Sequence, residues 1–154
     1  MAIDPFLHDD SRVLTSQTFD FVLDNELKRA IRSQNFLTLL VIDADARTPA
    51  GDPAKLTAEV ARLVSREVRE TDLLSTGKEG RLSLVLLDAD LQNSMQVVDR
   101  LVSRFEHYEF AAPTTISVGA ACCPTHGADA ESLHRAAEAR PIHRESRGNT
   151  SNAQ

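Results

Sequence analysis

The chain has 154 residues, 42% of them apolar and 26% charged, which is globular rather than disordered composition and enough length for one buried core. Its formal net charge of -6 excludes a surface that coats nucleic acid or an anionic membrane as a whole, so any anionic ligand must be held by a local basic cluster. No apolar run approaches the ~20 residues of a membrane span, and Met1 to Asp10 lacks the basic and apolar regions of a secretory signal, so a cytoplasmic protein is expected. The only two cysteines, Cys122 and Cys123, are adjacent and read as buried strand thiols rather than a disulfide framework.

Taken in chain order, Phe19, Val22, Leu23, Leu27, Ala30 and Ile31 recur at helical spacing and predict a first helix over Thr15 to Ser33. Phe36 to Ile42 is a short apolar run of the kind that forms a buried strand, and it ends on Asp43 and Asp45. After the breaker-rich Thr48 to Pro53, Leu56, Val60, Leu63, Val64 and Val68 mark a second helix that runs into Arg69. Asp72 to Thr76 and Leu82 to Leu87 read as two strands of a hairpin around the polar turn Gly77 to Gly80. A third helix starts at Leu91, with Met95, Val98, Leu101, Val102 and Phe105 on one face. Thr114 to Ala121 is a further strand, and Asp129 to Arg140 a fourth helix that Pro141 disturbs. The chain divides into an N-terminal extension (1-14), one domain (15-145) and a flexible polar tail (146-154). This order predicts an α/β (α+β) sandwich: a central, mainly antiparallel sheet flanked by helices, with the hairpin pairing with both the 36–42 and the 114–121 strands.

Three segments resemble the GGDEF (diguanylate cyclase) family. Phe19 to Ala30 is similar to its first helix, Leu40-Val41-Ile42-Asp43-Ala44-Asp45 to its metal-bearing first strand, and Thr115-Ile116-Ser117-Val118-Gly119-Ala120-Ala121 to its late-strand motif T/S-x-S-x-G-x-A. The resemblance spans about Thr15 to Asn149 and implies the nucleotide-cyclase-like fold and a place in bacterial cyclic di-GMP signalling. The signature turn of the family, Gly-Gly-Asp/Glu-Glu-Phe, is overwritten: Lys78-Glu79-Gly80-Arg81-Leu82 stands there. A hairpin one residue longer would set Gly77 and Glu79 on the first glycine and the acid, but it breaks the spacing from Asp72.

Cyclase chemistry needs carboxylates at two places to hold two divalent cations. Asp43 is retained, its partner in the turn is Gly80, the loop after Asp45 that reads guanine is shortened with only Gly51-Asp52 resembling its end, and the lysine of the late helix aligns with Glu145. The resemblance therefore implies a degenerate domain that is not an enzyme, with no cofactor and no metal, Asp43 being vestigial; a solvated strand end is an equal account of Asp43 and Asp45. What survives is Arg69-Glu70-Thr71-Asp72, placed before the turn as the family's Arg-x-x-Asp inhibitory site for cyclic di-GMP. An arginine fork can bond the O6/N7 edge of guanine and a carboxylate can accept from N1 and N2. Arg100 aligns with an arginine of that site, and Arg66 lies one helical turn before Arg69. An exposed Arg–Asp pair of nearly neutral energy is the competing account. His107, His126, His134 and His143 lack metal-ligand spacing and read as solvated imidazoles, and Lys78 and Arg81 as an ordinary polar hairpin tip.

Three functions follow from this reading: a cyclic di-GMP receptor using Arg69, Asp72, Arg100 and Arg66 that acts on a partner protein; an interaction module without nucleotide binding; and, last, an active cyclase. A homodimer stays open, and neither nucleic acid nor a membrane is an expected partner.

Overall fold

The computed structural model describes residues 13–46, 53–77, 81–110 and 113–147. The elements run α1 (Ser16–Ser33), β1 (Leu37–Ala46), α2 (Pro53–Ser65), β2 (Leu73–Thr76), β3 (Arg81–Leu87), α3 (Leu91–Glu106), β4 (Thr114–Cys123), α4 (Ala130–Ala139) and β5 (Pro141–Arg147). The strands form one sheet in the order β2-β3-β1-β4-β5, every neighbour antiparallel. This is the expected α+β sandwich.

Alternation along the strands sorts the core into two layers. Leu40, Ile42, Leu82, Leu84, Leu86, Ile116 and Val118 pack with Leu56, Val60 and Val64 of α2 and Val98, Leu101 and Phe105 of α3. Leu37, Leu39, Val41, Val85, Ala121 and Cys123 pack with Phe19, Leu23 and Leu27 of α1 and Leu133 and Ala137 of α4. Helices α1, α3 and α4 start on a side-chain cap: Thr15 accepts from Thr18 N, Asp90 from Asn93 N and Asp129 from Ser132 N. Gln34 ends α1 in the left-handed region at φ 59°, its N–H on the carbonyls of Ala30 and Ile31.

Four expectations need correction. The hairpin pairs with β1 through β3 alone, and β4 lies on the far side of β1. Residues Pro141–Arg147 form β5 on the edge of β4, because Pro141 stops α4 and a strand can use the open ladder there; the chain through Arg147 is therefore part of the domain rather than tail. Val13, placed in the extension, is buried in the core, and Leu14 bridges to Ser75, which closes the outer edge of β2. α2 ends at Ser65, so Arg66 and Arg69 stand in the following turn and share no helix face. Cys122 and Cys123 are buried in β4 as expected, and burial raises the Cys123 thiol above its ordinary pKa.

Candidate functional site

Asp43 and Arg81 are direct cross-strand neighbours on β1 and β3. Arg81 Nε donates to Asp43 Oδ1 at 2.7 Å and Arg81 Nη2 to Oδ2 at 3.1 Å, so the fork takes both oxygens of the carboxylate. Its remaining arm, Nη1, donates to Glu138 on α4. The hydrogen bonds to Asp43 lead the causes that hold Arg81 above its ordinary pKa, so the guanidinium is permanently charged. Arg81 is thus no loose hairpin-tip charge: it ties β1, β3 and α4 together. The acid that opens a strand toward a cation in the sequence faces a cation supplied by the chain itself. Lys78, Glu79, Gly80, Gly51, Asp52 and Asn149 lie outside the described residues, as do the side chains of His143 and Glu145.

Toward the divalent ions that the fold family implies, the described residues set Asp43 against the guanidinium of Arg81. Asp43 accepts one hydrogen bond on each oxygen from Arg81 while its side chain stays 44% exposed, and no group of three His, Cys, Asp or Glu side chains suited to a metal occurs among the described residues. A cation approaching Asp43 meets the positive charge of Arg81 already at bonding distance.

At the other end of β3, six residue steps of ~3.3 Å or roughly 20 Å away, Arg69 and Asp72 close the hairpin. Asp72 Oδ2 accepts from the Arg69 backbone N–H at 3.0 Å and Oδ1 from the Leu87 N–H at 3.3 Å. Arg69 Nη2 donates to the Leu87 carbonyl at 2.7 Å and lies 3.7 Å from Asp72 Oδ1. The β2–β3 register ends at Leu73↔Val85, so the strand stops short of Leu87. The Arg-x-x-Asp side chains satisfy the peptide groups of Leu87 in its place.

The expectation of an exposed, nearly neutral pair therefore holds for one partner only. The Arg69 side chain is 64% exposed, whereas that of Asp72 is 3% exposed and turned onto backbone. Arg100 on α3 reaches the same loop, its Nη2 donating to the Glu67 carbonyl at 3.1 Å, and Arg66 is exposed beside it in sequence. Sequence reasoning missed Glu67 and Arg104. Arg104 Nε donates to Glu67 Oε2 at 2.5 Å, and its position four residues after Arg100 on one helix was the available signal. Glu138 is the third such residue, and nothing local in the sequence marks its contact with Arg81.

Two histidines differ from the solvated expectation. His134 packs its ring against Phe19 at 6.4 Å between centroids, and burial lowers its pKa despite Asp20 and Glu138 nearby. His126 Nδ1 accepts from the Cys122 N–H at 2.9 Å, and its pKa is also lowered, first by burial and then by Arg140.

The antiparallel order β2-β3-β1-β4-β5, with α1 and α4 on one face and α2 and α3 on the other, is shared with solved structures. The FimX GGDEF domain from Pseudomonas aeruginosa superposes with a TM-score of 0.75 over 89% of this chain and 91% of that one, at 16% identity. The chain has the fold of a GGDEF domain. The GGDEF domain of DgcB from Caulobacter crescentus, solved in complex with c-di-GMP, gives a TM-score of 0.74 over 90% of this chain and 89% of that one, at 16% identity. The diguanylate cyclase SiaD from Pseudomonas aeruginosa, solved in complex with its activator SiaC, gives 0.73 over 88% of this chain and 56% of that one, at 19% identity. No family model matches the sequence, and no curated protein matches it. No helix among the described residues is long and apolar enough to cross a membrane.

Proposed function

We propose that this chain is a catalytically silent GGDEF-fold signalling domain that binds cyclic di-GMP through the arginines around the α2–β2 loop and acts on a partner protein. The observation that carries the silent half is the fork of Arg81 on Asp43. Where the signature turn of the family has its second acid, this chain sets a permanent cation against the remaining carboxylate, so electrostatics there favour neither a divalent ion nor the activation of a ribose hydroxyl.

Support for the receptor half is the placement of Arg69 in the α2–β2 loop and of Arg100, which reaches that loop from α3, both side chains more than half exposed. Guanidinium forks on an acidic protein supply the local positive charge that a bis-phosphate purine ligand requires. The GGDEF fold is one on which DgcB holds c-di-GMP. Within this reading Asp72 acts by fixing the Arg69 backbone, and the guanine edge is read by the arginines. The test is calorimetry with cyclic di-GMP alongside incubation with GTP and magnesium. Binding lost in Arg69→Ala, with no cyclic di-GMP product by chromatography, is the expected result. Product that disappears in Asp43→Ala would overturn the silent half, and no heat at roughly a hundred micromolar ligand the receptor half.

The inward Asp72 carboxylate favours a second reading. If Arg69-x-x-Asp72 serves only to close the hairpin, the domain is an interaction module that has kept the fold and no nucleotide. SiaD, solved with a protein activator, shows such a fold serving in a protein complex.

A further inference from the structure

A cleft between the end of α2 and the outer side of α3 is lined by Glu67, Arg100, Ser103, Arg104 and His107. Both carboxylate oxygens of Glu67 are turned to arginines: Oε2 accepts from Arg104 Nε at 2.5 Å, and Oε1 lies 3.7 Å from Arg100 Nε. The acid is the sheltered member, its side chain 14% exposed, while the two arginines are half exposed. Arg100 and Arg104 stand one helical turn apart, so their guanidinium groups project to the same side. Two anionic oxygens between two guanidinium groups are the arrangement in which a phosphate is held. With Glu67 in place the cluster Arg100, Arg104 and Glu67 carries +1; without it the same pair carries +2, on a protein whose net charge of -6 repels anions from afar.

We propose that Arg100 and Arg104 form a phosphate cradle whose resident occupant is the Glu67 carboxylate, and that a phosphodiester ligand enters by displacing it. This rests on the receptor reading and adds two residues to it: Arg104 as a ligand contact, and Glu67 as the internal competitor that sets the affinity. His107 Nδ1, 2.8 Å from the Ser103 carbonyl, holds the C-terminal wall of the cleft in position. The exchange forms and breaks only hydrogen bonds and ion pairs, so occupancy is governed by competition between two anions for one pair of cations.

The test is calorimetry on wild type, Glu67→Gln, Arg104→Ala and the double variant, with cyclic di-GMP and, separately, pyrophosphate as probes. Glu67→Gln keeps the shape and one acceptor of the side chain, and its melting curve reports whether the α2–α3 contact survives; if it does not, Glu67→Asp, whose shorter reach loosens its hold on both arginines, should tighten both probes in the same direction by a smaller factor, and no tightening there would overturn the cradle. Removing the competing charge should tighten both probes about tenfold. Arg104→Ala should weaken them by about the same factor and remove the gain in the double variant. The tightening should shrink with added salt, since the arginines are half exposed. Affinities unchanged by Glu67→Gln, or a gain that persists in full without Arg104, would overturn the cradle. If cyclic di-GMP fails to bind wild type while Glu67→Gln gains pyrophosphate through Arg104, the cradle stands and the receptor reading falls. If cyclic di-GMP binds through Arg69 with no response to Glu67→Gln, the cradle falls and the receptor reading stands.

Discussion

Replacing Asp72 by alanine tests whether Arg-x-x-Asp is built into the fold. The carboxylate is 3% exposed and satisfies two backbone N–H groups, that of Arg69 at 3.0 Å and that of Leu87 at 3.3 Å, with Arg69 Nη2 a further 3.7 Å away. Hydrogen bonds to a charged group contribute about 1.5–3 kcal/mol each, and a buried donor left alone costs about 1–3 kcal/mol. Part of this is returned because a charge no longer has to be desolvated and water can reach the hairpin edge, so the net loss should be about 2–3 kcal/mol. For a domain of this size that is roughly 4–12 °C in Tm. Arg69→Ala removes a mostly exposed side chain and its bond to the Leu87 carbonyl, and should cost about 1 kcal/mol. Urea unfolding of the two variants side by side measures the difference. An Asp72→Ala loss below about 0.5 kcal/mol, or equal to that of Arg69→Ala, would refute the reasoning and return Asp72 to the status of a surface residue.

Other outcomes follow from the same geometry. Arg81→Ala should lower stability by about 1 kcal/mol, because the pairs to Asp43 and Glu138 are partly solvated, and Arg81→Lys should recover only a fraction, since an ammonium cannot bond both oxygens; chemical denaturation reads both. Gly119→Ala should cost about 3 kcal/mol or more, or prevent folding, because a Cβ there would lie 2.0 Å from the Ala137 carbonyl oxygen; expression yield and the melting curve show it. Stability should fall as pH drops below about 6.5. His126 and His134 have pKa values lowered in the folded state, so the unfolded chain binds protons first and its share of the equilibrium grows with acid. The double variant His126→Asn/His134→Asn should flatten that slope between pH 6.5 and 5, and an unchanged slope would assign the acid sensitivity elsewhere.

Much of the fold is readable before any coordinates. Phe19, Leu23, Leu27 and Ala30, with a step of three after two of four, announce α1 at helical spacing, and they are the residues buried in it. The run Leu82 to Leu87, apolar between a glycine turn and Asp88, is β3, the second strand of the sheet. Element boundaries were legible where a side chain caps them, as at Thr15 and Asp129. β5 was not. Its residues, Pro141 to Arg147, are polar and follow a helix without a pause, and they become a strand only because β4 offers an unpaired edge.

The same division runs through the candidate site. The sequence alone determined which groups are available: a strand acid at Asp43, an arginine in the turn, Arg-x-x-Asp before the hairpin and a second arginine on α3. These are matters of residue identity and short spacing, which covalent order fixes. Whether a charge faces solvent, a ligand or its own chain depends on partners distant in sequence. Arg81 meets Asp43 across 38 positions and Glu138 across 57, Arg104 meets Glu67 across 37, and Asp72 reaches Leu87 across 15. Gly119 makes the point for packing. It reads as a motif letter in the chain, and only the approach of the α4 backbone to β4 shows why no larger residue fits. Charge and periodicity act locally and can be read along a line; the pairing of a carboxylate and closure of a ladder are properties of surfaces brought together, and tertiary structure alone decides them.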